Sequence, residues 1–207
     1  MKKKKSVLKE KPNVAYFCME YGLHDDFKMY AGGLGILAGD YMKGAKDFNF
    51  PIVGIGLLWK QGYTDQRVDE NGKVYDTFHN YNYNFLQDTG VKVPVTVRGE
   101  EIICKVWKSE QWGTVPLYLL DTDIPENSDR WITGQLYGWF GEELVAQEIV
   151  LGIGGVRALR ALNIEVDVYH FNEGHALFAG FELMREKREK GKSFEKAWKK
   201  KKKEVVF

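Results

Sequence analysis

The sequence predicts an α/β fold whose mainly parallel sheet is interrupted by a β-hairpin excursion, and three observations carry that prediction. The first part of the chain reads strand, loop, helix, strand, and the last part reads helix, strand, helix, helix. Between them lie paired β segments split by turn residues. Finally, the stretch YAGGLGILAGD, residues 30–40, is a glycine turn that opens a helix shortly after the first strand. Ligand sites in such sheets lie beyond the carboxyl ends of the strands.

Taken in order, residues 14–18 (VAYFC) are a short apolar run expected to form a buried strand, and residues 20–30 a loop. Ile36, Leu37, Met42, Ala45 and Phe48 then recur at helical spacing, which predicts a helix over 34–48. Residues 52–59 (IVGIGLLW) read as a strand whose two glycines suggest close backbone approach. Glu70-Asn71-Gly72 marks a hairpin between 63–68 and 73–78. Gly99-Glu100-Glu101 splits a second hairpin, 93–98 and 102–107, and residues 115–120 form a further strand. Over 142–162, Val145, Ile149, Gly152, Ile153, Val156 and Leu159 share one face, so one long helix is expected. Residues 166–171 return to strand, 174–190 to helix, and 193–203 to helix capped by Ser193. The closing EVVF reads as the start of a strand, so the chain is expected to be a fragment.

A chain of 207 residues is long enough for a full core. Its formal charge of +1 hides a segregation: the lysine-rich ends, 1–11 and 185–204, flank an acidic middle. Basic ends without a basic folded face are expected to be solvated tails, so no nucleic-acid partner is expected. Cys18 and Cys104 match no metal or redox spacing, which suits a reduced, cytoplasmic compartment. The longest apolar stretch, 51–59, is too short to cross a bilayer, and the first residues lack the apolar core of a signal peptide.

Glycines that open a helix aim backbone N–H groups and the positive end of the helix dipole at one point, a place for an anion such as phosphate. Gly33-x-Gly35-x-x-Ala38 also satisfies a dinucleotide fingerprint. The long loop before it and the lack of an acid near residues 52–59 argue against that use. His170, Glu173 and His175 stand in the order H-x-x-E-x-H, which is not the helical zinc spacing, so no metal is expected. His175, at the start of a helix, is placed to meet an anionic or hydroxyl-rich ligand. No second carboxylate is placed by sequence to pair with Glu173 in a two-carboxylate hydrolase.

Five blocks occur in order: VAYFCMEYGLHDD, YAGGLGILAGDYMKGAKDFNFPIVGIGLL, QGYTDQ, AQEIVLGIGGVRALRAL and YHFNEGHALFAGFELMR. Together they resemble the amino-terminal region of the short bacterial and archaeal α-glucan (maltodextrin/glycogen) phosphorylases, over residues 12–207. The resemblance implies part of the first, Rossmann-like domain of a two-Rossmann-domain (GT-B type) glycosyltransferase, with residues 1–11 a basic tail. It implies phosphorolysis of α-1,4-glucan by inorganic phosphate to glucose 1-phosphate, with pyridoxal 5′-phosphate as cofactor, in an enzyme that can be a homo-oligomer. Gly32, Gly33, Leu34 and Gly35 match the family's glycine loop, which helps hold phosphate and sugar. His175 matches a histidine facing the reacting glucose, whose carbonyl would help stabilise oxocarbenium charge. Asn172 and Glu173 shape its turn, and Glu20 matches a carboxylate at the cofactor end of the cleft.

The family's cofactor lysine and second domain are not matched here, and the lysines at 199–203 are expected on a solvated helix. The chain alone is therefore expected to hold no stoichiometric cofactor, to release no glucose 1-phosphate and to self-associate. The alternatives are a nucleotide-sugar glucan synthase, disfavoured because Tyr30-Ala31 stands where a basic residue precedes the glycines, and a non-catalytic sugar- or phosphate-binding module.

Overall fold

The computed structural model describes residues 11–138 and 141–207. Its elements are strands β1 (Val14–Phe17), β2 (Ile52–Leu57), β3 (Asp65–Val68), β4 (Val74–Thr77), β5 (Gln87–Val97), β6 (Glu100–Ser109), β7 (Leu117–Asp121), β8 (Val168–Phe171) and β9 (Val205–Val206). The helices are α1 (Gly33–Asp47), α2 (Glu142–Ile149), α3 (Gly155–Ala161), α4 (Leu177–Glu189) and α5 (Phe194–Lys201).

One sheet runs β5-β6-β7-β2-β1-β8-β9, parallel from β7 to β9, with β5 and β6 antiparallel at the other end. The three strands expected at its heart are adjacent, β1 lying between β2 and β8. All four residues of β1 are buried, because helices cover both faces there. On one face, a Cβ on Gly54 would stand 2.5 Å from Met42 of α1. On the other, a Cβ on Gly155 of α3 would stand 2.6 Å from both Ile55 and Phe17. The close approach expected at the β2 glycines is there: Gly54 seats Met42 of α1, and Gly56 seats the Tyr21 ring. The architecture is mixed α/β with a mostly parallel sheet, compatible with a Rossmann-like fold.

Several expectations need correction. The buried face of α1 is Gly35, Ala38, Gly39, Met42 and Ala45, whereas Ile36, Leu37 and Phe48 are exposed. Small residues face inward because α1 presses on the backbone of the preceding loop: a Cβ on Gly39 would stand 2.0 Å from the Gly22 carbonyl oxygen. The expected long helix runs without interruption from Glu142 to Ala161, but a π-helical turn over Val150–Gly154 separates α2 from α3 within it. That turn rotates the buried face, leaving Val145 exposed. The β5–β6 turn is shorter than expected, two residues, with Arg98 at φ 52 and Gly99 at φ 81, so Glu100 already belongs to β6. A short 3₁₀ turn, Gly174–Ala176, precedes α4. The lysines at 199–203 are not uniformly solvated: Lys201 is buried, paired with Glu204 and set over the Tyr169 ring.

Ser193 caps α5 by accepting from the Lys196 N–H, as expected. Of the expected basic tail, residues 1–10 lie outside the described residues. Lys11 is docked: its Nζ donates to the Phe48 carbonyl, 3.0 Å away, at the carboxyl end of α1, where a cation is favoured.

Candidate functional site

Glu20, just beyond β1, organises the glycine turn. Its side chain is almost fully buried, at 3% exposure. Its Oε2 accepts from the Ala31 N–H at 2.6 Å and the Gly32 N–H at 3.1 Å. Its Oε1 accepts from the Tyr137 hydroxyl at 3.0 Å. Three donors on one carboxylate stabilise its charge inside the protein. A Cβ on Gly35 would stand 2.4 Å from Tyr30 Cβ and 2.7 Å from Glu20 Oε2, so only glycine lets the turn close over this carboxylate.

The turn therefore offers an anion less than its sequence suggests. Two of its N–H groups, on Ala31 and Gly32, are occupied by Glu20. Gly35 and Ile36 donate to the Gly32 carbonyl. The N–H groups of Gly33 and Leu34 have no acceptor among the described residues and stand at the amino end of a 15-residue helix with no side-chain cap. The outward side is open, since a Cβ on Gly32 or Gly33 would meet nothing within 4 Å. A phosphate oxygen would find two donors and a helix dipole there.

The second half of the site follows β8. Asn172 continues the strand register by donating its N–H to the Phe17 carbonyl at 2.9 Å, and its Nδ2 donates to the Tyr16 hydroxyl at 2.6 Å. Glu173 is exposed at φ 58 and ψ −174, a conformation that side chains other than glycine's rarely adopt. That strained residue turns the chain so that His175 sits one step into the 3₁₀ turn, half-buried. His175 Nδ1 and Asn172 Oδ1 are buried atoms without a hydrogen-bond partner among the described residues.

Tyr137 joins the two halves: its hydroxyl holds Glu20, and its ring lies 5.7 Å from the His175 ring. The glycine turn and His175 therefore open on the same edge of the sheet. Burial and the neighbouring Glu20 carboxylate raise the Tyr137 pKa, which keeps its proton available for that bond. Glu148, on α2, also faces this site: partial burial raises its pKa, and nearby His175 partly offsets that. Neither Tyr137 nor Glu148 was singled out in the sequence, because each reaches the site from a segment far away along the chain.

His170 is not gathered with His175. It packs edge-on against Tyr16 and Tyr41 beneath α1, at 4.9 and 5.6 Å, and burial lowers its pKa. Among the described residues no group of three or more His, Cys, Asp or Glu is placed to hold a metal ion. Pyridoxal 5′-phosphate carries an aldehyde that a lysine amine holds. The groups gathered here are carboxylates, a phenol, an amide and an imidazole, so they do not fit its attachment. Cys18 and Cys104 are free, buried thiols whose pKa values burial pushes up to about 12. Among the described residues no helix is long and apolar enough to cross a membrane.

The fold and site define an α/β protein with an uncapped, open helix start and a histidine turn side by side at the carboxyl edge of parallel strands. No protein-family model matches the chain. It is 42% identical over 193 residues to the maltodextrin phosphorylase of Thermococcus litoralis, a span of 87% of this chain and 23% of that protein. It is 40% identical over 189 residues to the glycogen phosphorylase of Mycobacterium tuberculosis, covering 84% of this chain and 22% of that one. An uncharacterized protein of Methanocaldococcus jannaschii is 45% identical over 176 residues, 83% of this chain and 34% of its own length. The homology places the chain in the maltodextrin/glycogen phosphorylase family, as a match to its amino-terminal region. It spans between a fifth and about a third of the length of these relatives.

Proposed function

We propose that this chain is the amino-terminal part of an α-1,4-glucan phosphorylase, within the first domain of a GT-B type glycosyltransferase, and supplies one wall of the cleft. The observation that carries the reading is the juxtaposition of the two free N–H groups of Gly33 and Leu34 with His175, in a homologue of maltodextrin and glycogen phosphorylases. The relatives named above lend the nucleotide-sugar synthase alternative no support.

In this reading the Gly33 and Leu34 N–H groups hold one oxygen of inorganic phosphate, aligned by the α1 dipole. A second phosphate oxygen attacks C1 of the terminal glucose as the bond from C1 to the glucan oxygen breaks, and the proton of hydrogen phosphate passes to that leaving oxygen, which becomes the new terminal hydroxyl of the shortened glucan. His175 and Asn172, whose buried polar atoms lack partners, orient that glucose. The His175 carbonyl stabilises the positive charge that develops at C1. Pyridoxal 5′-phosphate is the proposed cofactor of the full-length enzyme, and the residues gathered here do not fit its attachment. The parent enzyme is proposed to be cytoplasmic, where phosphate and glucan meet.

The test is Gly33→Val in the full-length protein, assayed for glucose 1-phosphate release from maltodextrin and phosphate. The outward side of Gly33 is open, so the variant folds. Its added methyl groups displace phosphate from the backbone donors, and phosphorolysis falls on the order of 10²-fold, the usual cost of one such donor. Wild-type turnover by this variant would refute the site assignment. The 207-residue chain assayed alone releases no glucose 1-phosphate, because phosphate held by one wall faces water.

A further inference from the structure

We propose that Tyr137 is the positioning residue of this site, a clasp that sets the phosphate-binding turn against His175. The inference rests on the phosphorylase reading for its kinetics but not for its geometry.

Tyr137 touches the two halves through different atoms. Its hydroxyl bonds Glu20 Oε1, and the other oxygen of that carboxylate holds the Ala31 and Gly32 N–H groups, immediately before the two free donors. Its ring packs beside His175. The segment that carries it is itself fixed from two sides: the Leu136 N–H donates to the Gly62 carbonyl at 2.9 Å, and Gln147 of α2 donates to the Gln135 carbonyl at 3.0 Å. Tyr137 is held at φ 55, a strained conformation for a bulky residue, which persists only where the surroundings impose it. The hydroxyl also has an electrostatic effect. Glu20 lies directly behind a site for an anion, and every donor on its carboxylate weakens the repulsion it exerts on phosphate.

Two contacts on separate atoms make the roles separable. Tyr137→Phe keeps the ring beside His175 and removes only the hydroxyl. In the full-length protein we expect the KM for phosphate to rise about tenfold, as for loss of a donor to a buried carboxylate, with kcat and the KM for glucan within about threefold of wild type. Tyr137→Leu removes the ring as well and lowers kcat too. Glu20→Gln removes the charge that the hydroxyl serves, so its effect and that of Tyr137→Phe on phosphate KM are non-additive. A merely structural residue would move both KM values and kcat together.

Hydrogen exchange, followed by mass spectrometry on the same full-length variants, reads the clasp without activity. Tyr137→Phe is expected to raise exchange over residues 30–36 while the β5–β6 hairpin stays as in wild type. Unchanged phosphate KM together with unchanged exchange overturns the proposal, as do additive effects in the cycle with Glu20→Gln. Absence of phosphorolysis in the wild type overturns the phosphorylase reading instead, and the exchange result then decides the clasp alone.

Discussion

The two ends of the sheet are built on different rules. In the parallel half, β2, β1 and β8 are covered on both faces, and every connection must cross back over the sheet before the next strand begins. The antiparallel wing, β5 and β6, turns in two residues at Arg98 and Gly99, and β5 alternates buried and exposed side chains along its inner end. Crossovers place long segments at one edge, residues 18–32 after β1 and residues 172–176 after β8, and these hold the glycine turn and His175. The wing's tight turn has no such length. Parallel topology therefore concentrates irregular backbone, strain and unpartnered polar atoms at one edge, where a ligand can use them.

That contrast breaks most readily at Gly39. Its Cβ would collide with backbone at 2.0 Å, so Gly39→Ala should cost about 3 kcal/mol of stability, read from urea unfolding. The wing's Gly99, at φ 81 with open space around it, should cost only about 1 kcal/mol on the same change. Equal losses would show that the two halves are not packed differently. Next in size is the rate loss in Gly33→Val described above, which should come with an unfolding midpoint close to wild type.

Glu173 sharpens the comparison further. Relieving its strained backbone with Glu173→Gly should raise stability by about 1 kcal/mol while phosphorolysis falls, because the turn no longer fixes His175. A stability gain without loss of activity would mean that the strain does not serve the site. The smallest effect belongs to His170. Burial depresses its folded pKa below the ordinary 6.5, so the folded state prefers the neutral ring. Its contribution is fully present above pH 6.5 and is lost as pH falls through the depressed value. His170→Gln should flatten that part of the stability–pH curve, and an unchanged curve would assign the acid sensitivity elsewhere.

Much of the fold was legible because it is written locally. The apolar run of β1, the turn residues of both hairpins, the Ser193 cap and the glycine turn each act within a few residues, so composition and spacing suffice to find them. The edge on which the site opens followed as well, since it depends only on which segments follow the parallel strands. Five sequence blocks in order also pointed to the phosphorylase family, which the relatives bear out.

Tertiary contact alone decided the rest. The inward face of α1 is set by how closely the helix meets the Gly22 backbone, so small residues won over the larger apolar ones that periodicity favours. The π-helical turn answers packing across the sheet and α4, where a Cβ on Gly152 would stand 2.4 Å from the Ala179 nitrogen. The occupation of two turn donors by Glu20 depends on a bond to Tyr137, 117 residues away in sequence. Hydrogen bonds and contacts over such separations exist only once the sheet has brought its strand ends together. The glycine turn was readable as a helix-opening turn; which of its donors remain without a partner among the described residues was settled by the carboxylate folded in behind it.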